Sequence, residues 1–371
     1  MHSVAGFLLG TWANVQWQIN PEPGDVYWCA ADVGWLTFPI HAVVGGLAHG
    51  MTLLCYEGAL DTPTHERFYE IAERHGVTKL LAAPTLARML RGAGDSLAEA
   101  HSLPKLRLVS LQGEPLDIET FRWAARHIGR GLPVINAYGQ SETGSTWTYP
   151  IAGVDSTKAG SCGQTVPGHG YDILDDDGNP AAPGTPGNLV LTHPFPTLAR
   201  TVWDDHPRYK QGYFSRFPGC YQTSDRAIRD PDGHLWVVGR TDDVINVAAH
   251  RISTMEIESA VNAQPGVAEA AVIGVAEAVK GTVPVAFVTL MAGADRPTVE
   301  RAVTAAVDHA IGGIARLHKV YITRAIPKTR AGKIMRRLLR EAVQSGRITS
   351  DTTGLEDPDT LAAILDSVRD R

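Results

Sequence analysis

The sequence predicts an α/β protein: a parallel sheet with crossover helices, then a small β-barrel-like subdomain, then a small mobile α+β C-terminal domain. Three observations predict it. Across residues 1–150, apolar runs at 52–56, 80–83 and 106–111 alternate with amphipathic helices such as 64–75, the pattern of parallel strands joined by crossovers. Across 151–241 Gly and Pro rise, and short alternating strands such as 187–192 follow the turn-rich stretch 179–187, which reads as the β-rich subdomain. Across 242–345 the pattern returns to α/β, with a helix at 254–261, a strand at 269–275 and a strand at 285–290 that starts after Pro284. Residues 346–371 read as a linker and a tail helix.

Composition excludes several classes. Thirty-four Lys and Arg against forty Asp and Glu give a net charge of −6, which argues against non-specific nucleic-acid binding. No apolar run of about 18 residues is present, so no membrane span is expected. Met1 is followed by no basic segment and the apolar stretch 4–12 lacks a cleavage signal. The four cysteines, Cys29, Cys55, Cys162 and Cys220, lack metal spacing and fit thiols of a reducing cytoplasm. The fourteen histidines form no His-x-x-x-His pair, and His41, in an apolar run, reads as a core or pocket-wall residue rather than a base.

Three segments carry chemistry. The apolar run 132–135 reads as a buried strand, and Asn136-Ala-Tyr-Gly-Gln-Ser-Glu-Thr-Gly144 follows it, where open α/β sheets bind ligands. The hydroxyls of Ser141 and Thr143 suit phosphate oxygens, and the Glu142 carboxylate suits a Mg²⁺ ion bridging them. In the second segment Asp225 suits ribose hydroxyls, Asp230-Pro-Asp-Gly233 is a hairpin turn, and Arg240 with Asp242-Asp243 marks a hinge. The third, Pro327-Lys-Thr-Arg-Ala-Gly-Lys-Ile-Met-Arg-Arg337, places Lys333 on a Gly-containing turn from which an ammonium can neutralise developing charge. Taken alone it reads as a solvated basic helix start, with Arg336, Arg337 and Arg340 outward. The other two segments reverse that weighting.

In this order the three runs resemble the adenylate-forming superfamily, in its acetyl- and propionyl-CoA synthetase branch. Residues 25–35, Gly113-Glu-Pro115, 213–219 and 267–274 support the resemblance, which covers almost the whole chain. It implies an enzyme that joins a carboxylic acid to ATP as an acyl-adenylate, then rotates its C-terminal domain and passes the acyl group to CoA. Residue by residue, it implies Gly113, Glu114 and Pro115 beside adenine, Ser141 and Thr143 at the phosphates and Glu142 on Mg²⁺. Asp225 and Arg240 would hold the ribose, Arg251 would lie near the phosphates, Asp242 would be the hinge and Lys333 the adenylation lysine. Acylation of Lys333 would switch the enzyme off.

Departures from the family pattern qualify this. A Thr/Ser/Gly-rich phosphate loop that family members carry ahead of the region matching His2 has no counterpart here, so a catalytically silent or partner-dependent truncated relative that binds AMP or CoA is the alternative. Gly139 replaces a tryptophan that shortens the acetate pocket, and with Leu36, Thr37 and Gln112 lining it, an acid larger than acetate is expected. Gln112 would hydrogen-bond a substituted acid. Ala248-Ala249 narrows the CoA tunnel, Asp308 stands where an arginine is expected near the CoA 3′-phosphate, and Ser224 replaces a glycine before Asp225.

Overall fold

The computed structural model describes residues 1–241, 244–247, 250–277, 281–329 and 332–369. They group into two compact units, Met1–Pro84 with Asp95–Thr241, and Thr85–Gly94 with Asp242–Arg371.

In the first unit, strands β1 (Val26–Ala30), β2 (Thr52–Leu54), β3 (Lys79–Ala82), β4 (Leu108–Gln112), β5 (Val134–Gly139) and β6 (Thr146–Thr148) form one sheet in the order β2-β1-β3-β4-β5-β6. All pairs are parallel except β5 with β6. Strands β3 and β4 are buried along their whole length, as expected when both faces are covered. Helix Val4–Gln18 covers one face, placing Val15 and Ile19 in a core with Tyr27, Cys29, Leu81 and Ile135. Its glycines permit close approach: a Cβ at Gly10 would lie 2.0 Å from Thr197 Cγ2. Its other side leaves Val4, Leu8, Leu9 and Trp12 exposed, as are Val43 of the π-helical segment Pro39–Gly46 and Leu47, which follows it. Helix Arg67–His75 stops at Gly76, whose φ of 62° suits the left-handed C-terminal position.

Strands β7 (Tyr171–Leu174), β8 (Gly187–Leu191), β9 (Tyr221–Arg229) and β10 (Leu235–Arg240) form a separate antiparallel sheet, in the open order β10-β9-β8-β7, where a barrel-like subdomain was expected. The 230–233 turn joins β9 to β10: Gly233 N–H donates to the Asp230 carbonyl at 3.0 Å and Gly233 adopts φ 86°. Along β9, burial alternates, so Tyr221, Thr223, Asp225 and Ala227 face inward.

The second unit contains β11 (Val244–Val247), β12 (His250–Ser253), β13 (Val267–Glu277), β14 (Gly281–Leu290) and β15 (Lys319–Ile322), ordered β12-β11-β14-β13 with β15 beside β14. Pro284 lies inside β14 rather than before it. It pairs opposite Gly274, and β15 begins pairing one residue later, at Val285, so the missing N–H costs little. Alternate residues of β13 and β14 face two cores. Val272, Ala286 and Val288 pack with Ile257, Val261 and Val303, whereas Ile273, Val285 and Phe287 pack with Leu339, Ala342 and Ile364 of helices Arg336–Ser345 and Asp359–Arg369. Ser253 caps helix Thr254–Asn262 by accepting from Met255 N–H at 3.2 Å, and Asp295 caps helix Arg296–Ala310 by accepting from Thr298 N–H at 3.1 Å. Arg336 does not solvate an outer face: its guanidinium binds both oxygens of buried Glu258, at 2.7 and 2.9 Å. Residues Thr85–Gly94 join this unit through Arg88 to Glu269 at 3.4 Å and Arg91 to the Asn262 carbonyl at 3.2 Å. Among the described residues no helix is long and apolar enough to cross a membrane.

Candidate functional site

The carboxyl ends of β4 and β5 present two runs of candidate residues, 113–115 and 141–143. After β4, Gly113 adopts φ 98°, and a Cβ there would meet nothing within 4 Å, so the backbone lies open to a flat ligand. Glu114 is half-buried and Pro115 exposed beside it. After β5, Ser141 is exposed on the loop. Thr143 is fully buried, and its hydroxyl accepts from Gln140 N–H at 2.8 Å and reaches the Gln140 and Ser145 carbonyls at 2.8 Å. It therefore shapes the loop from within. Gly144 must be glycine, because φ is 69° and a Cβ would lie 2.5 Å from the Thr197 carbonyl.

Glu142 is half-buried, and its Oε1 accepts the Tyr213 hydroxyl at 2.6 Å. Among the described residues no group of three or more His, Cys, Asp or Glu could hold a metal. A single carboxylate fits Mg²⁺, which takes one or two protein oxygens and completes its shell with phosphate and water. Asp225, 8% exposed, accepts the Tyr138 hydroxyl at 2.5 Å and Gln140 Nε2 at 2.7 Å, both on Oδ2, while Arg240 stands 3.8 Å from Oδ1. Burial, reinforced by Asp225, raises the Tyr138 phenol well above its ordinary pKa, so it stays a donor. Ser224, before Asp225, is held at φ 58°, the left-handed region where a glycine costs nothing. Thr241 N–H and hydroxyl both donate to its carbonyl.

The acyl-pocket candidates sit differently from expectation. Gln112 is buried and spends both ends of its amide inside the protein: Oε1 accepts Gln18 Nε2 at 2.7 Å, and Nε2 donates to His41 Nε2 at 2.8 Å. It belongs to a buried network of Gln18, Ser110, Thr146 and Asn14 that local sequence did not reveal. His41 is buried, its ring proton sits on Nδ1, and burial pushes its pKa down to about 3. It is neutral, as burial requires. Leu36 and Thr37, half-buried, lead from β1 into the π-helical segment. At Gly139 a Cβ would lie 2.5 Å from the Ser145 carbonyl oxygen and 2.6 Å from Thr146 Cα. The Cβ direction is filled by β6 backbone, so the missing indole does not leave an equal vacancy.

In the second unit Lys333 is exposed on a turn closed by Thr329 N–H to the Lys333 carbonyl at 2.9 Å, with Gly332 at φ 84°. Asp308 is paired with Arg316, at 2.8 and 2.9 Å, so a cation stands beside the reversed charge. Arg251 lies on β12, opposite Asn246. Its side chain, like Asp242, Ala248 and Ala249, lies outside the described residues.

Sheet order, the loop after β5 and the separate C-terminal α+β unit define the adenylate-forming class. Residues 1–203 match the AMP-binding enzyme family and residues 256–333 match the AMP-binding enzyme C-terminal domain. The chain belongs to the AMP-binding enzyme family. It is 42% identical over 371 residues to acetyl-coenzyme A synthetase of Gemmatimonas aurantiaca, across 99% of this chain and 56% of that protein. It is 43% identical over 369 residues to acetyl-coenzyme A synthetase of Chromobacterium violaceum, across 97% of this chain and 56% of that one. The chain thus spans little more than half the length of these relatives. An anthranilate CoA ligase solved with anthranoyl-AMP shares the fold, with a TM-score of 0.80 at 24% identity over 92% of this chain and 64% of that chain.

Proposed function

We propose that this chain carries acyl-CoA synthetase chemistry: a carboxylic acid and ATP give an acyl-adenylate and pyrophosphate, and CoA then takes the acyl group and releases AMP. The observation that carries this is the clamped pair of carboxylates, Glu142 and Asp225, at one loop in a chain 42% identical to acetyl-CoA synthetases along its length. Mg²⁺, when bound, would supply charge neutralisation at the phosphates. Glu142 would hold it, and Ser141 would offer its hydroxyl to phosphate oxygens. Asp225 would accept a ribose hydroxyl on Oδ1, with Arg240 alongside. Gly113, Glu114 and Pro115 would flank adenine. Lys333 would bring a cation to the reacting oxygens, and its exposure suits acylation as an off-switch. Arg251 is assigned to the phosphates, Asp242 to the hinge and Ala248-Ala249 to the CoA tunnel by resemblance. The domain limits 1–150, 151–241, 242–345 and 346–371 stand as part of this reading, as does a cytoplasmic location.

Gly139 lacks the indole of the acetate branch, which supports an acid larger than acetate, while the β6 backbone against its Cβ direction supports a short one such as propionate or isobutyrate. A second reading is a catalytically silent or partner-dependent relative that binds AMP or CoA. Acid-dependent ATP/pyrophosphate exchange with Mg²⁺ separates the readings, using acetate, propionate, butyrate, isobutyrate and hexanoate. Exchange with any acid supports the enzyme and names its substrate class. No exchange, with rescue by an N-terminally extended form, supports incompleteness; no rescue supports the silent relative.

A further inference from the structure

Glu142 and Asp225 are joined by one frame of phenols and an amide. The Tyr213 hydroxyl donates to Glu142 Oε1 at 2.6 Å. Its ring stacks on Tyr221, with centroids 5.1 Å apart and planes 7° from parallel. The Tyr221 hydroxyl donates to Gln140 Oε1 at 3.0 Å, and Gln140 Nε2 donates to Asp225 Oδ2 at 2.7 Å and to the Thr223 carbonyl at 2.8 Å. Gln140 is itself pinned by Thr143, whose hydroxyl accepts its N–H at 2.8 Å. Tyr221 is 2% exposed, so the middle of the frame is rigidly packed.

We propose that Tyr213 is a positioning residue for the divalent cation: it fixes Glu142 Oε1 so that Oε2 faces a hard cation, and through Tyr221 and Gln140 it aligns that carboxylate with the Asp225 clamp. This rests on the assignment of Glu142 to Mg²⁺ and Asp225 to the nucleotide. Cation and nucleotide then bind cooperatively, and the coupling is reciprocal. Groups that orient a metal ligand typically alter metal affinity by about 10–100-fold when removed.

The test is titration of the whole chain with Mn²⁺, followed by electron paramagnetic resonance, with and without AMP, and with AMP alone by calorimetry. Tyr213→Phe keeps the ring and the stack and removes one oxygen. It should weaken Mn²⁺ about tenfold, leave metal-free AMP affinity and Tm unchanged, and reduce the factor by which AMP tightens Mn²⁺. Tyr213→His, which retains a ring donor, should restore part of the loss. Tyr221→Phe should weaken AMP and also reduce the coupling. Glu142→Gln separates the two levels of the argument. If it leaves Mn²⁺ affinity unchanged, or if the wild-type chain binds no Mn²⁺, the assignment of Glu142 fails and the frame falls with it. If Glu142→Gln weakens Mn²⁺ but Tyr213→Phe does not, or lowers only Tm, the assignment stands and the positioning role of Tyr213 is overturned.

Discussion

Replacing Gly139 by alanine tests whether this glycine is required by packing or is merely a vacancy in the acyl pocket. Its φ is not in the left-handed region, so a side chain meets no conformational penalty. The penalty is steric. A Cβ would lie 2.5 Å from Ser145 O and 2.6 Å from Thr146 Cα, below any normal contact distance and against backbone that cannot rotate aside. Relief requires β6 to slide where it pairs with β5 at an irregular register, Tyr138 with Thr148 and Gly139 with Thr146. Overpacking of this kind costs about 1–3 kcal/mol. For a unit of this size that lowers Tm by roughly 2–12 °C, from about 2–4 °C per kcal/mol. Because Thr146 also holds Asn14 and Gln18, displacement should loosen the hydrogen-bond network around Gln112 as well. Calorimetry and urea denaturation of Gly139→Ala measure the cost. A stability change within about 0.5 kcal/mol would refute the reasoning. Gly139→Trp should then destabilise further instead of converting the pocket cleanly to acetate, and a stable variant with a sharpened acetate preference in pyrophosphate exchange would overturn that expectation.

Ser224→Gly should stabilise the protein by about 1 kcal/mol, because a residue with a Cβ pays about 1–2 kcal/mol in the left-handed region; an unchanged urea midpoint would count against strain at φ 58°. Lys333→Ala should abolish acid-dependent pyrophosphate exchange while leaving AMP binding nearly intact, and equal loss of both would remove Lys333 from the chemistry. His41 has its pKa depressed from 6.5 to about 3 by burial, so the unfolded chain binds the extra proton first and stability falls as pH drops below about 6.5. The expected slope is about 1.4 kcal/mol per pH unit between roughly pH 6 and 4. His41→Gln should flatten that part of a urea-derived stability profile, and an unaltered slope would show that His41 is not the titrating group.

The legible parts of this protein were those whose cause lies within a few residues. The alternation of apolar runs with amphipathic helices located the parallel strands, and Asp230-Pro-Asp-Gly233 located the β9–β10 hairpin, because Pro and Gly set the turn themselves. Pro284 misled, since its effect depends on whether a neighbour pairs at that point, and β15 begins one residue later. The polar network around Gln112 left no local signal: Gln18 and Thr146 reach it from far along the chain. Asp308 stood in the sequence as a reversed charge, and only the fold shows that Arg316, eight residues on, reaches it across the turn after helix Arg296–Ala310.

By itself the sequence determined the family, the fold class and the chemical types at Ser141, Glu142, Asp225 and Lys333, because motif spacing and side-chain chemistry survive without coordinates. Tertiary structure decided how those groups are held. Tyr213 lies 71 residues from Glu142, and Tyr138 lies 87 from Asp225, separations at which no turn or periodicity constrains one residue by another. Folding also decided what empty-looking positions mean. Gly113 is open above its missing Cβ and Gly139 is closed by β6, and the same letter gave no means of telling them apart, because the difference lies in which backbone the sheet brings alongside.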